Sequence, residues 1–113
     1  MEAKSKTFKL ASRIIQVSGE VDMNSAPRLR EKLRKTFDMK PNAVIVKLTD
    51  VTYMDSAGVA ILVEALQWSK KEKILLILAE PSKAARGVIQ MARLEKFFMI
   101  SENAETALPE PKE

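Results

Sequence analysis

Two uninterrupted apolar runs constrain this chain more than anything else in it: Ala43-Val44-Ile45-Val46, followed by Lys47 and Leu48, and Ile74-Leu75-Leu76-Ile77-Leu78-Ala79. A strand with one wet face alternates apolar and polar residues, and neither run does so. Both are short and end in turn residues, so they read as central strands of a sheet covered on both faces. Between them lies Asp50 to Leu66, DVTYMDSAGVAILVEAL, where the first run ends, a polar turn follows and a helix-compatible segment begins near Ser56 and continues to about Ser69. Strand, turn, helix and strand in that order make a parallel unit with a right-handed crossover. Sites in such sheets gather at the C-terminal ends of the strands, which places Ser56 on a functional edge.

The flanking segments extend the alternation. Thr7 to Leu10 and Arg13 to Val17 read as a hairpin around Ala11 and Ser12, which makes the sheet mixed. Ser18 to Asp22 break the pattern; Asn24 or Ser25 then caps a helix with Pro27 in its first turn and a narrow inward stripe of Leu29, Leu33 and Phe37. Beyond the second apolar run, Pro81 and Ser82 start a helix with Ala85, Val88, Ala92 and Leu94 inward and with Gly87 as a weak point that permits close packing. Phe97 to Ile100 reads as a last strand and 101–108 as a short helix, with a polar tail at 109–113. The expectation is one α/β domain over 1–108, a mixed sheet of about five strands with about four helices.

Composition narrows the chemistry. At 113 residues, 46% hydrophobic and 30% charged, the chain is an ordinary globular domain. It has neither cysteine nor histidine, which removes disulfides, Cys/His zinc sites, the Ser-His and Cys nucleophile arrangements and the usual general base. The expectation is a non-enzyme without metal or cofactor. No apolar stretch is long enough for a membrane span and the N-terminal residues lack a signal-peptide core, so the default location is cytoplasmic, without membrane insertion. The net charge of +4 is spread among acids and few aromatic residues accompany it, which argues against nucleic-acid binding. The densest basic stretch, Arg28 to Lys35, reads as the solvated face of its helix.

The turn itself admits two readings. Asp55 or Ser56 can simply cap the helix, since both residue types accept hydrogen bonds from the first turn. Alternatively, a hydroxyl at a helix N-terminus is a good place for a phosphate, because free N–H groups and the positive end of the helix dipole face it. The helix that follows has no charge from Ala57 to Val63. Val59, Ala60 and Val63 are therefore either core or an exposed contact patch.

Taken together, GEVD at 19–22, the apolar strand ending near Asp50, YMDSAG at 53–58 and the segment Leu94 to Ile100 resemble a STAS domain of the anti-sigma factor antagonist family, over roughly residues 5–108. The resemblance implies a phospho-switched partner-switching regulator. Unphosphorylated, such a protein binds an anti-sigma factor that is also a serine kinase and so frees a sigma factor for transcription. It also implies Ser56 as the phosphoacceptor, Asp55, Ala57 and Gly58 as its flank, and a phosphatase acting on phospho-Ser56. Asp22, Asn24, Met54, Val59, Ala60 and Val63 would supply the partner surface, Asp22 matching the acid near the start of the first helix. The same resemblance allows a STAS subunit docked on the ATPase of an ABC-type lipid transport system. A third reading, an enzyme or receiver phosphorylated on Asp50, lacks the acidic pair at an early strand end.

Overall fold

The computed structural model describes residues 1–8 and 12–103, with the backbone alone at 6–8. Five strands form one sheet: β1 (Glu2–Phe8), β2 (Ser12–Val21), β3 (Ala43–Met54), β4 (Leu75–Ala79) and β5 (Met99–Ser101), in the order β1-β2-β3-β4-β5. The β1–β2 pair is antiparallel and all other pairs are parallel. Three helices, α1 (Ala26–Asp38), α2 (Ser56–Glu72) and α3 (Lys83–Met91), form the crossovers, and a single 3₁₀ turn (Glu95–Phe97) precedes β5. Each crossover steps one strand in the same direction. A right-handed connection repeated that way puts every helix on one face.

The core follows this layout. Val44, Val46 and Leu48 on β3 and Leu76 and Leu78 on β4 share a buried cluster with Leu29, Leu33 and Phe37 of α1, Val59, Leu62 and Ala65 of α2, and Ala85 and Ile89 of α3. The alternate positions, Ile14, Ala43, Ile45, Ile77 and Ala79, form a second buried cluster on the other face. Two-sided burial therefore explains both unbroken apolar runs except at Leu75, which is 46% exposed.

Helix α1 buries the expected narrow stripe, but its basic stretch is not merely solvated. The Arg30 guanidinium is bonded to Glu64 on α2, and that of Arg34 to Asp38 and to Glu72. The Trp68 ring lies against both, with the Arg30 and Arg34 guanidinium carbons 5.3 and 4.5 Å from its centroid. Phe37 meets the same ring edge-on at 5.9 Å. The seam between α1 and α2 is thus held by stacked cations as well as by apolar contact.

Several boundaries differ from the sequence reading. The first hairpin strand begins at Glu2, and residues 9–11 at its turn lie outside the described residues. Strand β2 does not stop at Ser18: Gly19, at φ +82°, sits where the register shifts, and the pairing resumes to Val21. Strand β3 passes through Asp50 to Met54, so Asp50 lies within a ladder, paired with Ser18, and not beyond a strand end. Helix α3 ends at Met91, leaving Ala92 exposed, and Ile89 fills the place expected of Ala92. Gly87 permits no close packing, since a Cβ added there would meet nothing within 4 Å. Three α-helices are present among the described residues, against the expected four. Of the helix expected at 101–108, Ser101 instead closes β5 and 104–108 lie outside the described residues.

Candidate functional site

The extension of β3 builds the site. From Gln16 to Val21 strand β2 takes five residue steps, while its partner β3 takes seven, from Lys47 to Met54, with register shifts at two places. Two bulges absorb the difference. They also change the inward spacing on β3, so that Leu48, Val51 and Met54 all enter the core at intervals of three. Strand β4 pairs no further along β3 than Lys47, opposite Ala79. The β2–β3 tip therefore projects past the β4 edge by up to roughly 20 Å at the usual rise per residue.

At that tip the chain turns into α2. The N–H of Asp55 donates to the Val21 carbonyl at 3.2 Å, and the Asp55 carboxylate accepts from the N–H of Ala57 at 2.9 Å. Asp55 is thus the cap, with extended backbone. Ser56 does not cap the helix, and it is exposed at the first helical position. Gly58 is buried, and a Cβ on it would lie 2.8 Å from Met54 Cγ and 2.9 Å from Val21 Cγ1. Only a glycine lets the helix come this close to both strand ends.

The neighbouring loop is equally fixed. The Asp22 carboxylate accepts from the N–H groups of Asn24 and Ser25 at 2.9 and 3.0 Å. These bonds, that from Ser25 first, hold its pKa below the ordinary 3.8. Ser25 occupies the cap position of α1, yet its hydroxyl donates to the Glu20 carbonyl and accepts from the Asp22 N–H, both at 2.9 Å. It ties the loop to β2 instead of capping the helix.

Of the expected partner-surface residues, Asn24 and Ala60 are exposed, and Asp22 and Val63 are half-buried. Met54 and Val59 are core residues, 5% and 7% exposed, and correct the expectation of direct contact; they support the turn from beneath. The apolar opening of α2 is thereby divided. Gly58, Val59 and Leu62 face the core while Ala60 faces water. Sequence reasoning missed Met23 and Tyr53, large apolar side chains 76% and 48% exposed on either side of the tip. The β3 bulges hide Tyr53 from any alternation rule, and nothing in the pattern marks Met23.

The charge of the tip is opposite to that of the chain. No lysine or arginine occurs between Arg13 and Arg28 or between Lys47 and Lys70, whereas Glu20, Asp22, Asp50 and Asp55 fall in these segments. Among the described residues, no cluster of His, Cys, Asp or Glu could hold a metal ion, and no helix is long and apolar enough to cross a membrane.

Comparison with known proteins agrees with this geometry. The anti-sigma-B factor antagonist of Bacillus subtilis is 33% identical over 91 residues, which cover 80% of this chain and 83% of that protein. An anti-sigma factor antagonist from Mycobacterium paratuberculosis superposes with a TM-score of 0.84 at 24% identity, covering 94% of this chain and 89% of the other. The Bacillus cell fate determinant SpoIIAA in its phosphorylated form gives 0.72 at 21%, covering 94% and 96%. These structural likenesses establish the fold. Residues 4–107 match the STAS domain family, and the chain belongs to it.

Proposed function

We propose that this protein is an anti-sigma factor antagonist that works as a phospho-switched binding module, not as an enzyme. In its unmodified form it binds an anti-sigma factor that is also a serine kinase, through the tip formed by Asp22 to Asn24, Ser56 and Ala60, and so frees a sigma factor in the cytoplasm. The kinase phosphorylates Ser56, which ends the complex, and a phosphatase restores the hydroxyl. The observation that carries this reading is the exposed Ser56 hydroxyl at the first position of α2, with capping delegated to Asp55. The relatives named as anti-sigma-B factor antagonists support the partner class.

Electrostatics supports the direction of the switch. A phosphate on Ser56 adds about 1.5 to 2 negative charges at pH 7 next to Asp55, and the helix N-terminus offsets roughly 0.3 to 1 kcal/mol of the repulsion. The fold survives. A partner surface fitted to a neutral hydroxyl would bury a dianion without a prepared counter-charge, and a penalty of about 3 kcal/mol weakens binding about a hundredfold.

The test is calorimetric titration of the anti-sigma partner with unmodified and phosphorylated protein. Phospho-Ser56 and Ser56→Asp should bind at least tenfold more weakly while melting like wild type; Ser56→Ala should bind normally and take up no phosphate. Equal affinities for the two forms would sink the switch.

A further inference from the structure

Helix α2 carries a second feature that the phosphoacceptor reading does not use. Ser56, Ala60, Val63, Gln67 and Lys70 follow one another at spacings of four, three, four and three, so they form one straight stripe on the outer side of the helix. Every one of them is exposed or half-exposed. The opposite side packs on the sheet through Leu62 and Ala65, and one flank packs on α1 through Glu64 and Trp68. The other flank opens into a groove.

That groove has a volume of ≈ 280 Å³, with Val63 and Leu66 as one wall and Leu94, Phe97 and Phe98 as the other. Phe97 is 52% exposed, although it is a large aromatic side chain with a buried neighbour, Phe98, at 7%. Lys70 lines the same groove, no carboxylate among the described residues does, and Lys96 stands beside it with its Nζ 5.4 Å from the Phe97 ring centroid. The volume falls just short of the range of small-molecule sites, roughly 300 to 1,000 Å³, and the lining has little polar chemistry to orient a cofactor. It suits instead an apolar side chain or two delivered by a protein partner. A heptad-spaced stripe beside an apolar groove is the receiving half of helix-in-groove recognition, in which a partner helix lies nearly parallel to the stripe and inserts anchors spaced one turn apart.

We infer that the α2 stripe and the groove beside it seat an amphipathic helix of the partner, with an apolar anchor between Val63, Leu66 and Phe97 and an acidic residue facing Lys70. This inference rests on the partner-binding reading above and extends its footprint from the Ser56 tip along the full length of α2. Charge decides the chemistry of the occupant. The tip end of the stripe is acidic and the groove end basic, so the helix must carry its own carboxylates at the groove end, and it can dock in one direction only.

The probe is a fluorescein-labelled designed helix of about 18 residues, with leucines at heptad spacing and glutamates beside the leucines that face the groove, paired with a twin carrying lysines in place of the glutamates. Fluorescence anisotropy on the full chain should show the acidic peptide binding at least tenfold more tightly than the twin. Phe97→Glu and Val63→Glu should each weaken it at least tenfold. Phe97→Ser, which removes the groove wall without adding charge, should do the same, and both Phe97 variants should keep the wild-type melting transition. Equal binding of both peptides, absence of binding, or indifference to both Phe97 variants would overturn the inference. Self-association of the protein that the Phe97 variants abolish would also overturn it, since the occupant would then be a second copy. The Phe97 comparisons are read on unmodified protein, so they do not depend on whether Ser56 is phosphorylated. Groove binding combined with equal affinity of the anti-sigma partner for phosphorylated and unmodified protein would therefore fail the switch and leave the groove standing.

Discussion

The backbone N–H of Asp55 donates to the carbonyl oxygen of Val21 at 3.2 Å, so the end of β2 and the turn carrying Ser56 are fastened directly to one another. Gly58 completes the fastening by letting α2 settle on Val21 and Met54. Gly58→Ala should therefore destabilise the fold by about 1 to 3 kcal/mol through overpacking, although alanine is the better helix former. Denaturant titration measures this. A midpoint at or above that of wild type would show that Met54 can move aside.

Asp55 has two candidate roles that two substitutions separate. Asp55→Ala removes the acceptor for the Ala57 N–H and should cost about 1 kcal/mol, whereas Asp55→Asn keeps a good cap and should cost little. If the carboxylate also orients the hydroxyl, both variants should slow phosphorylation of Ser56 in a kinase assay. A normal rate for Asp55→Asn would leave Asp55 with capping alone.

Ala60 is the surface test. Ala60→Arg places a long cation on the exposed stripe and should abolish binding of the anti-sigma partner while moving the melting temperature by no more than about two degrees, as expected for a surface change. Val46→Asp is its core counterpart. With Val46 0% exposed, an unpaired charge there should cost several kcal/mol. A large stability loss in Ala60→Arg would return that position to the core.

How far the sequence was readable depended on whether burial and periodicity agreed. The runs at Ala43 to Leu48 and Ile74 to Ala79 announced central strands because both faces of the sheet are covered. Beyond Leu48 the same strand became illegible, since the two bulges convert an interval of two into an interval of three and make a paired strand look like a loop. In α3 the apolar positions allowed more than one inward face. The choice of Ala92 over Ile89 failed because the helix stops one residue earlier. The Ser56 turn could be located from chain order alone. Which of Asp55 and Ser56 does the capping needed coordinates, as local chemistry permits either.

Glycine stands where it is not needed and is missing where it would help. Gly87 lies in the body of α3 with open space around its Cα, so Gly87→Ala should stabilise by about 0.5 to 1 kcal/mol. Lys73, just past α2, is held at φ +58° while its N–H bonds the Ser69 carbonyl. Lys73→Gly should relieve that left-handed strain and stabilise by up to about 1 kcal/mol. Thermal unfolding of the two variants and their double should give near-additive gains, since the sites lie on different helices. A loss in either would contradict the local geometry.

Acid should weaken the site before the core. The Asp22 carboxyl is held below its ordinary 3.8 by the N–H of Ser25 and then that of Asn24, and the Glu72 carboxyl below its ordinary value first by Arg34. Because each folded pKa is depressed, the unfolded chain binds protons more readily; the stabilisation is fully present above the ordinary values and is lost as pH falls through the lower folded ones. Stability should thus decline below about pH 4. Asp22→Asn should flatten that decline in denaturation curves taken across the acid range, and an unchanged slope would mean that Asp22 contributes nothing to it.

If Ser56 is the phosphoacceptor proposed above, the projecting tip also bears on what its kinase has to recognise. Ser56 stands on a turn held by Asp55, Val21 and Gly58, and Val21, to which its cap is bonded, is more than thirty residues away in the chain. A short synthetic segment containing DSAG has the right letters but not the right shape. On the proposed reading, addressing of this serine is conformational, and an unfolded copy of the chain would be invisible to its kinase, so only correctly folded molecules would enter the signalling cycle.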